Sequence, residues 1–336
     1  MQELVMLSRA FDNQADQRLN IDASGQGGAG DVAVSPRGDR DGAMSCTICG
    51  SAMRPEAISE VFHCRRCGFF ASRLPVRINR LASIDEASRE RGLRRLRLAN
   101  FSAILDRCRH ILPDGATILD VGCAHGWFLE AAISRGYNAL GVEPDTAMAA
   151  KARASGAKVY HGLFPAAVPT NARFAAITFN DVLEHLPDPD AVIAEVRERL
   201  GEGGIVVINL PVSEGIIFRL SRVAAKFGYK TPLARMWQVG LPSPHLTYFS
   251  SAVLEKLLSR HGFELVESHR LEAISLAGLW NRIRADQQMP WVSSSLILCA
   301  AIGLKLSMRW LPSDIRYFIF RKQDAAAASS ASDRSE

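Results

Sequence analysis

Three groups of residues in this chain have types and spacings that support chemistry. The first is Cys46-x2-Cys49 and Cys64-x2-Cys67, with fourteen residues between the pairs. Two such knuckles supply four thiolates to a tetrahedral zinc site, and Gly68 suits the tight turn around the last ligand. A redox dithiol would leave the second pair unexplained. The second group lies between Ile118 and Leu129. There an apolar run ends in Asp120, Gly122 and Gly126 frame a turn, and Phe128-Leu129 begin an apolar helical face. A strand, a glycine turn and a helix N-terminus make a nucleotide cradle, because the backbone approaches a ligand closely and free N–H groups point at it. About twenty residues on, Asn138-Ala-Leu-Gly-Val-Glu143 ends in a carboxylate placed to accept from ribose hydroxyls. The third group is His185 and His245, imidazoles able to take up a proton near neutral pH. Cys108, Cys123 and Cys299 read as packing residues.

Four motifs follow one another in order: Asp120-x-Gly122-x-Ala124-x-Gly126, Gly141-Val-Glu143-Pro144-Asp145, Phe179-Asn180-Asp181 through Glu184-His185-Leu-Pro187-Asp188-Pro189, and Leu200-Gly-Glu-Gly-Gly204. Together, over roughly residues 95–270, they resemble the class I S-adenosylmethionine (SAM)-dependent methyltransferases. The resemblance implies an α/β, doubly wound (Rossmann-like) sheet of seven strands with an antiparallel edge. It also implies roles. Asp120, Gly122 and Gly126, with Cys123 and Ala124 between them, would shape the methionine and ribose side. Glu143 would hold the ribose, and Pro144 and Asp145 would border the adenine. His161-Gly162-Leu163 would approach the adenine edge, although the acidic residue of many relatives is absent there. Asn180 and Asp181 would face the methionine moiety and the acceptor. Ala124 stands where the family usually has glycine, which implies a slightly tighter pocket.

Methyl transfer from a sulfonium is an in-line displacement, so alignment and exclusion of water are the protein's main tasks. A hydroxyl or acidic-carbon acceptor also needs a base, for which His185 and His245 are the candidates. The Glu-His pair resembles a metal site of ubiquinone-pathway O-methyltransferases, with Asp181, Glu184 and His185 as analogous ligands. A zinc ribbon ahead of such a domain resembles bacterial glycan-pathway and sugar methyltransferases, which implies a small-molecule, sugar or lipid-linked acceptor and O- or C-methylation. Two alternatives stand beside this reading. One is an rRNA or tRNA methyltransferase whose arginine-rich helix tracks phosphates, though no aromatic-interleaved basic surface accompanies it. The other is a SAM-binding interaction protein without catalysis.

The elements that position these residues are legible in the pattern. The chain has 336 residues, 48% hydrophobic content and a formal charge of +5, too modest to argue for nucleic acid by itself. Residues 1–43 are rich in Gly, Asp, Ser and Gln and read as disordered. Met1 to Arg9 lack the basic start and apolar core of a signal peptide, so the chain reads as cytoplasmic. The ribbon occupies 44–75, and the methyltransferase-like domain 85–321. A basic helix over 85–111 carries Leu93, Leu96, Phe101, Ile104 and Leu105 on one face. Strands at 117–121, 138–143, 157–160, 174–180 and 204–210 alternate with helices at 126–135, 145–155 and 189–200, as in a parallel sheet. Gly262–His269 and Ile315–Arg321 are the last strand pair, and Ser250 is a helix cap.

Residues 213–249 occupy a substrate-covering position. Within them Arg219, Arg222 and Lys226 share one helical face, and Ile216, Leu220, Val223 and Phe227 another. Residues 273–312 form an apolar helical insertion whose uncharged run, Met289 to Leu304, is too short to span a bilayer. The plainer reading of it is a helical hairpin packed on the sheet or in a dimer interface, and the sharper one is peripheral contact with the inner face of the cytoplasmic membrane through 289–311, with Trp291 and Trp310 at headgroup depth. Residues 322–336 read as a disordered tail.

Overall fold

The computed structural model describes residues 44–76, 86–273 and 310–323, with six isolated positions between 291 and 303. The expectations for 1–43, for most of 273–312 and for the tail beyond 323 lie outside the described residues.

The first sheet is small: β1 (Arg54–Pro55), β2 (Val61–His63) and β3 (Phe70–Ser72), joined by a two-residue strand from far along the chain, Thr247–Tyr248. The basic helix α1 (Glu86–Cys108) leads into the second sheet. There β4 (Thr117–Val121), α2 (Trp127–Ile133), β5 (Asn138–Glu143), α3 (Thr146–Ala154) and β6 (Lys158–His161) form one wing. The other wing holds β7 (Phe174–Asn180), α4 (Pro189–Arg199), β8 (Leu200–Pro211), α5 (Ile216–Lys226), α6 (Thr231–Met236), α7 (Ser251–Arg260), β10 (Phe263–Arg270) and β11 (Ile315–Lys322), and between α6 and α7 the chain leaves it for β9, the Thr247–Tyr248 strand of the small sheet. The seven strands run in the order β10-β11-β8-β7-β4-β5-β6. Pairing is parallel from β6 through β8, and β11 lies antiparallel to both β8 and β10. The reversed strand therefore sits one place in from the edge.

Both faces of this sheet are covered, which is why its strands are nearly continuous in apolar residues. Leu119, Ile177, Val206, Ile208 and Phe318 point to one side, where α4 and α7 pack with Ile193, Val196, Leu254 and Leu257. Ile118, Ala176, Ile205, Val207 and Ile319 point to the other, against α1, α2 and α3 through Ile104, Leu105, Phe128 and Ala152. The two-residue alternation sorts the strand residues between the layers. Truncating a fully buried leucine such as Leu257 is expected to cost about 2–5 kcal/mol.

The caps follow the chemistry of their residues. Asp145, Asp188 and Ser250 each accept a backbone N–H from the first turn of α3, α4 and α7. Three arginines of α1 are committed to carboxylates: Arg97 to Asp181 at 3.1 Å, Arg107 to Glu267 at 2.8 Å and Arg94 to Glu130 at 3.5 Å. Ion pairing of this kind leaves less positive charge for tracking a phosphate backbone. Among the described residues no helix is long and apolar enough to cross a membrane.

Candidate active site

A cavity of about 1040 Å³ opens at the C-terminal ends of β4, β5 and β7, where a doubly wound sheet presents its ligand crevice. Asp120, at the end of β4, is buried beneath it. One carboxylate oxygen accepts from Thr178 Oγ1 at 2.6 Å and from Asn180 Nδ2 at 2.9 Å. Burial pushes the Asp120 carboxyl up to about 7 against the pull of these two bonds, and the nearby Glu143 charge adds to the rise. Thr178 escaped the sequence reading. It lies two residues before Asn180 on β7, hence on the same face, and that periodicity was the available signal.

The glycine turn is held from both ends. Gly122 donates to the Val142 carbonyl at 2.8 Å, and Gly126 caps α2 with a φ of +77°. A Cβ at Gly122 would lie 2.7 Å from Val182 Cγ2, and one at Gly141 would lie 2.4 Å from Cys123 Sγ. Ala124 keeps the left-handed backbone of a glycine, φ +44°, despite its Cβ. Glu143 explains how. Its carboxylate accepts the Ala124 N–H at 2.8 Å and the Asp145 N–H at 2.8 Å, pinning the turn to the end of β5. Burial raises the Glu143 carboxyl, opposed by these two donors. Cys123 is buried, its thiol pushed up by burial, in keeping with a packing role.

Pro144, Asp145, Gly162 and Leu163 line the cavity as well. The side chain of His161 is turned to Thr146 Oγ1, at 3.2 Å. Asn180 Oδ1 is buried and has no hydrogen-bond partner among the described residues. Asp181 sits at φ +55° with its carboxylate on Arg97, so α1 reaches across to the cavity rim.

His185 and His245 meet. Their ring centroids are 4.7 Å apart at an interplanar angle of 64°. His185 ends a single 3-10 turn, Leu183–His185, and its Nδ1 donates to the Pro244 carbonyl at 2.9 Å, which leaves Nε2 as the basic nitrogen. His245 is buried, and burial together with the His185 charge holds its pKa well below the usual imidazole value. The Gln238 amide donates to His245 Nε2 at 2.9 Å. Gln238 has a φ of +52°, and nothing in the sequence singled it out. Beside the two rings, Glu184 is 1% exposed, and neither carboxylate oxygen has a hydrogen-bond partner among the described residues. Burial and the charge of Asp181 raise its pKa well above the ordinary carboxylate range. Ligand atoms of Glu184, His185 and His245 all lie within 4.8 Å of one another.

The small sheet reaches this place. β3 pairs with β9, Phe70 opposite Tyr248 and Ala71 opposite Thr247. Ser72 donates through its N–H to Leu246 at 2.7 Å and through its hydroxyl to the His245 carbonyl at 2.9 Å. Leu246 donates in turn to the Glu184 carbonyl at 2.7 Å. At the far end of the ribbon, Cys46 and Cys67 bring their sulfurs to 3.5 Å, and Cys49 and Cys64 to 3.4 Å. All four sulfurs lie within 4.8 Å of one another, compatible with a tetrahedron of bonds about 2.3 Å long. The two turns match: Gly50 donates to Cys46, and Gly68 to Cys64, each at 2.8 Å and with positive φ. Hydrogen bonding from Ser51 draws the Cys49 thiol down to about 6.

A family profile described as a methyltransferase domain matches residues 91–268. The ubiquinone biosynthesis O-methyltransferase of Pseudomonas paraeruginosa is 34% identical over 102 residues, covering 28% of this chain and 44% of that protein. The protein of the same name from Dinoroseobacter shibae is 24% identical over 188 residues, covering 54% and 73%. The chain spans less than half the length of the first curated relatives it matches. Among solved structures, a chain of the complex between the Haloferax volcanii Trm112 methyltransferase activator and a methyltransferase superposes with a TM-score of 0.51 at 15% identity. The match covers 71% of this chain and 95% of that one, a likeness of fold alone.

Proposed function

This chain belongs to the methyltransferase domain family, and from that premise we propose that it moves the methyl group of SAM to an oxygen of a small-molecule acceptor. The observation that carries this reading is the shared cavity. Asp120, Glu143 and Asn180 line it at the strand ends, and His185 and His245 line the same cavity. The residues fit the cofactor. Asn180 Oδ1 is a buried acceptor in want of a donor, and the turn beside it needs glycine at 122, where a Cβ would run into the Val182 side chain.

When bound, SAM supplies an activated methyl on a sulfonium that departs as a neutral thioether. Glu143 would hold the ribose hydroxyls, with Asp120 and Asn180 on the methionine side and Asp145 and Pro144 at the adenine. His185 would take the acceptor's proton on Nε2, while the Pro244 carbonyl fixes its tautomer. His245, neutral at pH 7 by the direction of its pKa, would keep that ring in place through their contact. The finer acceptor class is a hydroxylated sugar or lipid-linked glycan intermediate, received against residues 213–249, which contribute Ile217, Met236, Gln238 and Leu241 to the cavity wall. The Cys46–Cys49–Cys64–Cys67 quartet would hold a structural zinc ion.

A second reading is favoured by Glu184. A buried carboxylate with both oxygens unpartnered, next to two imidazoles, has the donor set of a divalent-cation site. The trio differs from the one drawn from family resemblance, because Asp181 is taken by Arg97 and His245 stands in its place. An ion held there would lower the acceptor hydroxyl's pKa.

Calorimetry with S-adenosylhomocysteine, followed by transfer of labelled methyl from SAM to hydroxylated small molecules, tests the principal reading. Absence of homocysteine-analogue binding overturns it. Retained turnover in His185→Ala, with cofactor affinity unchanged, removes the base from the scheme. Activity that disappears on dialysis against chelator and returns with a divalent ion, yet not in Glu184→Gln, selects the second reading.

A further inference from the structure

A second cleft, of about 430 Å³, opens between the ribbon hairpin and α5. Arg54, Arg65, Arg222 and Lys226 line it, and the only carboxylate among its lining residues is Glu56. Arg222 is fixed in place. Its guanidinium lies over the Phe70 ring at 4.6 Å, and one terminal nitrogen donates to Glu56 Oε1 at 2.7 Å. Its Nε is buried with no hydrogen-bond partner among the described residues. Glu56 is shared, since His63 Nδ1 stands 3.4 Å from the same oxygen. The cleft therefore gathers four cations about one already engaged carboxylate. A layer of Phe70, Phe218 and Tyr248, with centroids 5.4 and 4.4 Å apart, separates it from the large cavity, which Tyr248 lines on its other side.

We infer that this cleft binds a phosphate group, as a monoester or diphosphate, at a site distinct from the methyl-transfer cavity. Three guanidinia, one of them fixed, beside a flexible ammonium make a donor arrangement that phosphate oxygens select. The surroundings suggest two sources for the group. On the face of α5 turned away from the core, Leu220, Val223 and Phe227 form an apolar stripe that is 58%, 48% and 77% exposed. An anionic lipid would bring headgroup and hydrocarbon to cleft and stripe together. A soluble phosphorylated compound would use the cleft alone.

The probe is inorganic pyrophosphate, titrated calorimetrically into the full chain at low salt. Saturable binding is expected. It should weaken about tenfold or more in Lys226→Glu and in Arg54→Glu, surface changes that leave the fold intact, with S-adenosylhomocysteine affinity unaltered. Arg222→Lys should weaken it as well, since charge is kept and the fork is lost. No saturable binding, or equal affinity in wild type and the Arg54→Glu/Lys226→Glu pair, overturns the site. Flotation with phosphatidylglycerol vesicles that is lost in Lys226→Glu and in Phe227→Asp assigns the phosphate to a lipid. Pyrophosphate binding that responds to the variants without flotation assigns it to a soluble ligand.

Discussion

The two halves of the large cavity are held by different means. The cofactor half is local: Asp120, the glycine turn, Glu143 and Asp145 fall within 26 residues, on adjacent strands of one sheet. Its donors and acceptors are mostly strand ends and backbone amides, and Glu143 clasps two of those amides. The acceptor half is assembled from distant pieces. Glu184 and His185 follow β7, His245 and Gln238 come from the cover, and the ribbon clips them together through Ser72. A local site tolerates damage elsewhere in the fold, whereas an assembled one inherits every weakness of its supports.

That contrast can be broken experimentally, and the largest effect belongs to the local half. Glu143→Ala removes the carboxylate proposed to hold the ribose and frees the Ala124 amide, so S-adenosylhomocysteine affinity should fall about 100-fold by calorimetry. A change under threefold would show that the carboxylate serves only the turn. Next comes the ribbon. Cys64→Ser, or treatment with a chelator, should lower the unfolding transition and reduce acceptor turnover about tenfold while S-adenosylhomocysteine affinity changes less than about threefold. Equal loss of both affinities would erase the distinction between the halves.

A pH dependence sharpens the local side. The folded Asp120 carboxyl is raised to about 7, so the folded chain keeps a proton that the unfolded chain has already released. Its contribution is therefore most favourable below the ordinary carboxylate range, and it is lost as pH climbs toward 7. Denaturation of the ligand-free protein should show stability falling over that interval by a few kcal/mol at most, and Asp120→Asn should flatten the slope. The smallest effect is at Ala124. Glycine there relieves the left-handed backbone, and Ala124→Gly should raise stability by about 0.5–1 kcal/mol with little change in cofactor affinity. A loss of stability instead would show that the alanine methyl packs usefully.

The same contrast explains what was legible in the sequence. Strand ends, glycine spacing and the carboxylate at 143 are short-range signals, and so are the apolar runs that bounded β4 and β7. His185 and His245 stood out individually as titratable groups. Their contact did not, because it depends on a two-residue strand, Thr247–Tyr248, too short to leave a periodic trace. Asp181 illustrates a different limit. Its position after β7 suggested the acceptor, but its partner is an arginine 84 residues earlier, and no spacing rule pairs the two. Gln238 was invisible because a strained backbone at glutamine has no sequence signature.

The β3–β9 pairing also has a consequence in time. The ribbon leaves the ribosome well before its partner segment, since the His245 carbonyl that Ser72 holds lies 173 positions downstream. At synthesis rates of about 5–20 residues per second, its outer strand waits roughly ten to thirty-five seconds for its neighbour. During that interval β3 is an open edge, the kind of template that recruits other chains. Early capture of metal by the four cysteines would keep the nascent hairpin ordered through the wait. Metal-starved cells should accordingly accumulate aggregated newly made chains while protein completed beforehand stays soluble.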